Sequence, residues 1–517
     1  MKNYLFAALM VVLTISSTNA QDVYVRLDVA GSALKKISKD IQEGDQFEAL
    51  ILKGMADNTS NSGYPTRKNV VSVIKTNGEV LDFDYSKKFE EDLNLTITPE
   101  SFWTVKALQA RVYNDIIEAG FQYDVRNYLE EESLDYLSYL SNQDAFVNDA
   151  VIKDYLQSIF LKIYQKPIND GRLGQLDIRI LKNNEPYAAI LPNGTALISI
   201  GLLNLVNTEE ELTAVLAHET AHFILDHAVK NINLELKKQK RAEFWAGVTS
   251  VAVAATATYA SVNHDIYVDP SIISTSAALA YTISSQISER VGLKYSREQE
   301  MAADNCAAEL MEYLGYNKDA LGSVLSKLKD YYYYTGNFKV FSDEGTHPNI
   351  SYRIENVGIP EIEYRDTDFD KKISDLLTQG AYYEYSKSHF QTCEKLLWRN
   401  IKSGAATEED YILMALVNLA QYNTSEKYAE SLNFLEKANQ LGINPDYQTF
   451  KVESLIHLRK NDELAAINAL SRYQTELQEH LNSIDLNLLT SNNWMDLNSR
   501  LNDELIWTKK MLFKMKK

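Results

Sequence analysis

The residues best suited to chemistry in this sequence form a short segment, HETAH, at positions 218–222. On an α-helix, His218 and His222 lie about 40° apart around the axis and one turn apart along it. Both imidazoles can therefore bind the same Zn²⁺ ion. Glu219 lies beside that position, where its carboxylate can hold a water molecule. A helical HExxH pattern is a strong signal for a zinc site.

A catalytic zinc site needs a third protein ligand and one position left for water. His227 lies about 140° around a continuous helix from His222, and we therefore interpret it as structural. On a second predicted helix downstream, Glu298 and Glu300 are both candidates, and spacing alone does not choose between them. Asp304, one turn after Glu300, is placed to hydrogen-bond a ligating imidazole and fix its tautomer.

The elements that must position these side chains are predicted from periodicity and helix caps. Two strand-like runs, at 176–181 and 189–200, precede the HETAH segment. Thr208 and Glu211 fit a capping box that begins the next helix. Four alanines within 302–308 keep the second helix slim, so it can pack closely against the first and deliver a carboxylate to the metal.

Upstream, residues 21–100 mix short β-like runs with polar loops, and we predict a small accessory β-containing region. Apolar runs at 70–75 and 80–83 flank Asn-Gly at 77–78, which predicts a tight hairpin with positive φ at both turn positions. Apolar spacing near 3.6 residues predicts a helix over 145–164. The apolar residues with this spacing are Phe146, Val151, Tyr155, Ile159 and Ile163.

Composition excludes several classes of protein. The chain has 517 residues, 45% of them hydrophobic, with only 20 glycines and 9 prolines, which is typical of a helical globular protein. Its 52 basic and 71 acidic residues give a net charge of -19, which disfavours nucleic-acid binding. Cys306 and Cys393 are expected to be buried thiols rather than a disulfide.

The first twenty residues predict export. One lysine, an apolar stretch and a small-residue end at Ala20 form a secretory signal. The apolar stretch is shorter than the about 20 residues of a membrane-spanning helix, which disfavours an uncleaved anchor. Two uncharged stretches, 244–262 and 271–288, are rich in Ala, Ser and Thr, and we predict a buried or interfacial helical pair. Peripheral membrane contact is the open alternative.

The last third of the chain, 366–517, contains paired amphipathic helices. A period of about 34 to 40 residues resembles tetratricopeptide repeats, which stack into an α-solenoid with a concave binding face. A plain helical bundle would explain the same pattern. We predict a repeat domain for docking of substrates or of an assembly machine.

Several motifs together resemble a known family. HExxH followed by E-x-x-A-D at 300–304 resembles the gluzincin zinc peptidases of the CAAX prenyl-protease and heat-shock-protease type. The segments 191–203 (LPNG to GLL) and 346–354 (THP to RI) resemble two further motifs of that family, in the same order. The similarity covers about 145–360. It implies a mostly helical α+β peptidase domain over 101–365 with a small sheet, and the zinc ligands His218, His222 and Glu300.

The resemblance also frames the reaction and its open points. It implies hydrolysis of a peptide bond by zinc-bound water, with Glu219 as general base. His347 or Arg353 could donate to the oxyanion; Arg353 could instead pair with an acid, and His347 could be an extra zinc ligand. Ala221 replaces the usual glycine before the second histidine, a harmless change in a helix. Tyr-Ala at 187–188 replaces the usual Asn-Ala near the expected substrate groove.

Within that family, the chain most resembles the periplasmic β-barrel-assembly-enhancing proteases. The resemblance implies an exported endopeptidase that acts on misfolded or misassembled envelope proteins in the periplasm of a Gram-negative bacterium. It also implies contact between the C-terminal repeats and outer-membrane assembly machinery. The alternative is a chaperone or scaffold whose repeats bind client proteins with little proteolysis.

Overall fold

The computed structural model describes residues 23–57, 66–84, 89–113, 121–164, 176–238, 293–336, 347, 349–358, 365–442, 447–483 and 492–516. The predicted signal segment and the two uncharged stretches within 244–288 lie outside the described residues. The described residues fall into two compact units, one ending at 358 and the other beginning at 365. No described helix combines the length and apolarity that crossing a bilayer requires.

The first unit begins with an antiparallel sheet in the order β5-β4-β3-β2-β6, in which β1 also pairs with β3. Side chains on one face, such as Leu50, Leu52, Val71 and Val73, are buried, as expected for a sheet with one face on a core. A 3₁₀ turn, Phe89–Asp92, precedes the last strand. The strands are β1 Val23–Leu27, β2 Gly31–Ala33, β3 Gln46–Asp57, β4 Thr66–Lys75, β5 Val80–Asp84 and β6 Leu93–Leu95.

The β4–β5 hairpin forms as predicted, but its turn differs. The backbone N–H of Lys75 donates to the carbonyl of Glu79 at 2.8 Å, which encloses a three-residue loop. Gly78 has φ +83°, whereas Asn77 does not have a positive φ. The predicted two-residue turn with two positive φ angles was therefore wrong; a three-residue loop needs the left-handed conformation only at its glycine.

A mixed α/β region completes the first unit. Its three strands have the order β7-β9-β8, with β7 parallel and β8 antiparallel to β9. The prediction of a mostly helical α+β fold is confirmed. The elements are α1 Phe102–Gln109, α2 Phe121–Asn142, α3 Ala150–Ile163, β7 Asp177–Leu181, β8 Ala188–Ile190, β9 Thr195–Ser199, α4 Ile200–Leu205, α5 Glu209–Ile224, α6 His227–Lys238, α7 Arg297–Tyr313, α8 Ala320–Thr335 and α9 Ile350–Val357.

Helix α3 begins later than predicted. The Asp149 carboxylate accepts hydrogen bonds from the N–H groups of Val151 and Ile152 and so caps the helix start. Phe146 instead forms an isolated β-bridge with Leu181. Val151, one of the apolar residues from which the helix was predicted, is 78% exposed. The buried side chains of this helix are Ile152, Leu156, Ile159, Phe160 and Ile163.

The start of α5 shows half of the predicted capping box. The Thr208 hydroxyl accepts from the Glu211 N–H at 3.1 Å. The Glu211 carboxylate, however, accepts from the N–H of Asn207 at 2.6 Å. It also accepts from Ser323 Oγ at 2.6 Å and from Lys327 Nζ at 2.6 Å, both on α8. Glu211 therefore ties the beginning of α5 to α8.

The second unit contains helices only, among its described residues. Consecutive helices pack in pairs, α11 with α12, α13 with α14, and α15 with α16. This arrangement agrees with the predicted helix pairs, while the assignment to tetratricopeptide repeats stays a prediction. The helices are α10 Thr367–Lys372, α11 Ser374–Ser386, α12 Phe390–Ser403, α13 Glu408–Gln421, α14 Ser425–Leu441, α15 Tyr447–Arg459, α16 Glu463–Ser483 and α17 Asn492–Met515. Cys306 and Cys393 are buried, free thiols, as predicted.

We expect Lys327→Met to lower the free energy of unfolding of the first unit by about 3 kcal/mol, because Glu211 would keep a buried charge without its cation. Calorimetry of the full chain measures the effect. The double variant Glu211→Gln/Lys327→Met removes both charges and should lose less stability than the single variant. An equal or larger loss in the double variant would contradict this account.

Candidate metal centre

Two packed helices supply the candidate ligands. His218 and His222 lie on α5, and Glu300 lies on α7, which is in extensive contact with α5. Both helices carry buried alanines, which let helix axes approach closely. These alanines are Ala214, Ala217 and Ala221 on α5, and Ala303 and Ala307 on α7.

The three side chains converge. The Nε2 atoms of His218 and His222 are 3.1 Å apart. Glu300 places Oε2 at 3.6 Å from His218 Nε2 and Oε1 at 3.5 Å from His222 Nε2. Ligand bonds of about 2.0–2.2 Å in tetrahedral geometry put ligand atoms about 3.3–3.6 Å apart. The two distances to Glu300 fall in this range and the distance between the imidazoles lies just below it, so two imidazoles and one carboxylate placed in this way fit zinc.

His347 lies on the same site. Its Nδ1 is 3.0 Å from Glu300 Oε1, and its Nε2 is 4.0 Å from Glu219 Oε1. Together with His218, His222 and Glu300, it forms a group whose ligand atoms all lie within 4.8 Å of one another. The side chain is 26% exposed, whereas the other three are almost fully buried. Its roles as extra ligand or oxyanion donor stay predictions.

Glu219 is buried one residue along the helix from His218. Burial raises the pKa of its carboxyl above the ordinary value, and the nearby His347 and His218 only partly oppose that shift. A glutamate with a raised pKa is a better proton acceptor when ionised and a better proton carrier afterwards.

Arg353 pairs with two carboxylates at the site. Its Nε and Nη2 donate to the two oxygens of Asp304 at 2.9 and 2.7 Å, and Nη1 is 2.7 Å from Glu300 Oε2. Burial alone would raise the pKa of Glu300, but the charge of Arg353, with that of His347, outweighs burial and holds it below the ordinary value. The structure thus shows the acid pairing considered as the alternative role of Arg353, and an oxyanion role stays a prediction.

Asp304 contacts a ligand as expected for an outer partner. Its Oδ1 is 2.9 Å from Nδ1 of His218. Burial opposes its ionisation, but Arg353 and His218 hold the pKa of the Asp304 carboxyl well below its usual range. Glu298, the competing candidate, is exposed and accepts from Ser296 Oγ at 2.8 Å. The structure therefore places Glu300, and not Glu298, with the two histidines.

Two contacts of His222 were not predicted. Its ring stacks on Tyr295, with 3.6 Å between ring centroids and 18° between planes. Its Nδ1 lies 2.8 Å from Nδ1 of His227. Burial, the largest cause in each case, lowers the pKa of His227 to about 3 and that of His222 well below its ordinary value. Tyr295 precedes α7 in a segment without periodicity, so only its nearness to Glu300 in sequence could have drawn attention to it.

The fold and the donor set define a zinc-metallopeptidase type of site. Residues 154–360 match peptidase family M48, so the chain contains a domain of this family of zinc metallopeptidases. All of the residues named at the metal centre lie in the matched range. The predicted gluzincin resemblance and the prediction of zinc as cofactor are thereby confirmed.

The curated relatives of this chain are named as a protease and as metalloendopeptidases. It is 26% identical over 200 residues to a Vibrio cholerae protein named as a beta-barrel assembly-enhancing protease, covering 38% of this chain and 37% of that one. It is 23% identical over 191 residues to the mitochondrial metalloendopeptidase OMA1 of Schizosaccharomyces pombe, covering 37% and 48%. A 57-residue match to OMA1 of Bos taurus is 37% identical and covers 11% of each chain. The matches thus span less than half the length of these curated relatives.

We expect Glu300→Gln to weaken zinc binding more than the about 10- to 100-fold that loss of an outer partner costs, because it replaces an anionic ligand. Competition with a chromogenic chelator measures the zinc dissociation constant. Glu298→Gln is the matched control on the same helix and should leave it unchanged. Equal affinities of the two variants would remove Glu300 from the ligand set.

Proposed function

We propose that this chain is a zinc-dependent endopeptidase that hydrolyses peptide bonds in protein substrates. The observation that carries the proposal is the convergence of the Nε2 atoms of His218 and His222 with the Glu300 carboxylate, beside a buried Glu219. Zinc bound by these donors would supply a Lewis acid for the scissile carbonyl and the attacking water.

Glu219 performs the proton transfers in this proposal. Its carboxylate takes a proton from the attacking water and passes it to the departing amine. Burial strengthens it as a proton acceptor. The Nε2 atom of His347 lies 4.0 Å from Oε1 of Glu219. A protonated His347 would therefore stabilise the negative charge of Glu219, since opposite charges at this distance attract.

Strand β8 offers a place for an extended substrate. Among the described strands, it is one of the two edge strands of its sheet and pairs only with β9. The carbonyl of Tyr187 accepts from the N–H of Ser199, and the N–H of Leu191 donates to the carbonyl of Thr195, both at 2.9 Å. Because strand residues alternate, the polar backbone groups of Ala188 point away from β9. Tyr187 and Ala188, which stand where the family usually has Asn-Ala, take part in this strand pairing.

The position of β8 suits a groove beside the metal centre. It packs against α5, the helix that carries His218 and His222. A peptide that pairs with this edge of β8 gains main-chain hydrogen bonds without regard to its sequence. We infer that extended, unfolded segments are the preferred substrates.

For the cellular role, we propose quality control of envelope proteins in the periplasm of a Gram-negative bacterium. The predicted secretory signal and the likeness to the Vibrio protein support this proposal. We further propose that the helices from 366 onwards bind protein substrates or outer-membrane assembly machinery. For the uncharged stretches within 244–288, the expectation stays a buried or interfacial helical pair, with peripheral membrane contact as the open alternative.

We expect Glu219→Gln to reduce cleavage of unfolded casein by about 10²- to 10⁴-fold, the usual contribution of a general base, and to keep the bound zinc. Gel assays give the cleavage rate, and atomic emission gives the zinc content. Glu298→Gln, an exposed glutamate of α7, is the matched control and should cleave normally. Full cleavage by Glu219→Gln would refute the mechanism.

The same variant separates the protease from the chaperone or scaffold alternative. In cells that lack the intact protein, the protease proposal expects Glu219→Gln to fail in complementation and to accumulate uncleaved envelope proteins. A chaperone or scaffold would be complemented by Glu219→Gln but not by a chain truncated after 364.

Ala188→Pro tests the proposed substrate strand. Proline is tolerated on an edge strand where the N–H faces outward, and the change removes one donor offered to a peptide. We expect kcat/KM for peptides to fall by about two- to tenfold, the worth of one hydrogen bond, with zinc affinity unchanged. An unchanged kcat/KM would argue against β8. Ala189→Pro, in which the lost N–H faces β9, should instead lower the melting temperature.

A further inference from the structure

The contact between His222 and His227 has a definite polarity. Two ring nitrogens 2.8 Å apart form a hydrogen bond only if one carries the proton and the other does not. His222 faces the other candidate ligands with Nε2, 3.1 Å from His218 Nε2. A ligating nitrogen must present its lone pair, so the proton of a neutral His222 is on Nδ1. His222 therefore donates, and His227 accepts through Nδ1.

The two histidine ligands thus have different outer partners. For His218, the partner is a carboxylate, since Nδ1 lies 2.9 Å from Asp304 Oδ1. For His222, the partner is a second imidazole that is 4% exposed. Both partners accept the N–H opposite the metal-facing nitrogen, which is the usual way to fix the tautomer and ring orientation of a ligating histidine.

A break in the helix gives His227 this position. Helix α5 ends at Ile224, and Asp226 has φ +56°, in the left-handed region that aspartate tolerates better than most residues. The Asp226 carboxylate forms a buried ion pair with Arg126 of α2. The turn brings His227 back towards His222, whereas on a continuous helix it would lie about 140° away.

We propose that His227 is a positioning residue of the metal centre. As a neutral imidazole protonated on Nε2, it accepts the Nδ1–H of His222 and holds that ring in the tautomer that presents Nε2 to zinc. The inference rests on the proposed function, because it assumes that zinc binds at His218, His222 and Glu300. It changes the interpretation of His227 from a structural residue to a partner of a ligand.

Three substitutions separate hydrogen bonding from packing. His227→Asn keeps an acceptor, because Asn Oδ1 can occupy the position of Nδ1. His227→Gln is also polar but carries its amide one carbon further out, and His227→Leu fills a similar volume without an acceptor. We expect His227→Leu and His227→Gln to weaken zinc binding by about 10- to 100-fold. The His227→Asn protein should bind zinc almost as tightly as the unchanged chain.

The experiment uses the full chain and zinc itself, with the dissociation constant from chelator competition and the melting temperature of the metal-free protein. If His227 only fills space, zinc affinity should follow the melting temperature across the variants. The His227→Leu protein should then bind zinc no more weakly than the His227→Asn protein. That result, or equal affinities for all four proteins, would overturn the proposal. If the His227→Leu protein does not fold, the comparison of His227→Asn with His227→Gln decides, and equal zinc affinities of these two proteins overturn the proposal. An unchanged chain that binds no zinc would refute the proposed function and, with it, this inference.

Discussion

The burial of several carboxylates beside one guanidinium is the interaction on which the metal centre depends. Glu219, Glu300 and Asp304 are each at most 5% exposed, and three buried negative charges would be very costly alone. Arg353 contacts two of them directly. It therefore keeps Glu300 and Asp304 ionised, in the form that a metal ligand and a hydrogen-bond acceptor require, and leaves Glu219 with the raised pKa that a base needs.

The helix that carries the chemistry is fixed at both ends by buried polar contacts. At its start, Glu211 binds Lys327 of α8, and just beyond its end, Asp226 binds Arg126 of α2. A site that must hold ligand atoms within a few tenths of an ångström gains from such supports, because small displacements weaken metal binding and catalysis. The two ion pairs thus hold the helix of the candidate ligands at its start and just beyond its end.

The sequence predicted features that short-range geometry controls. The 3.6-residue repeat alone places His218 and His222 on one face. Of the two strand-like runs predicted before α5, the first is β7, and the second is divided into the antiparallel strands β8 and β9. Spacing alone did not identify the third candidate ligand. Glu298 and Glu300 are two positions apart and point to opposite sides of a helix, and the local sequence does not indicate which side faces α5. The family resemblance implied Glu300, and the structure places that residue, while Glu298 faces solvent.

The features that the sequence did not predict depend on single backbone conformations or on partners far along the chain. Helix α3 was placed too early because Phe146 pairs with Leu181, a contact across 35 positions that periodicity does not contain. The sequence did not predict the contact of His227 with His222, because the angle of about 140° between them assumes an unbroken helix. One residue in the left-handed region, Asp226, invalidates the assumption. An ionisable residue just beyond a catalytic helix should therefore be judged after its helix end is located, because a turn there can return it to the site.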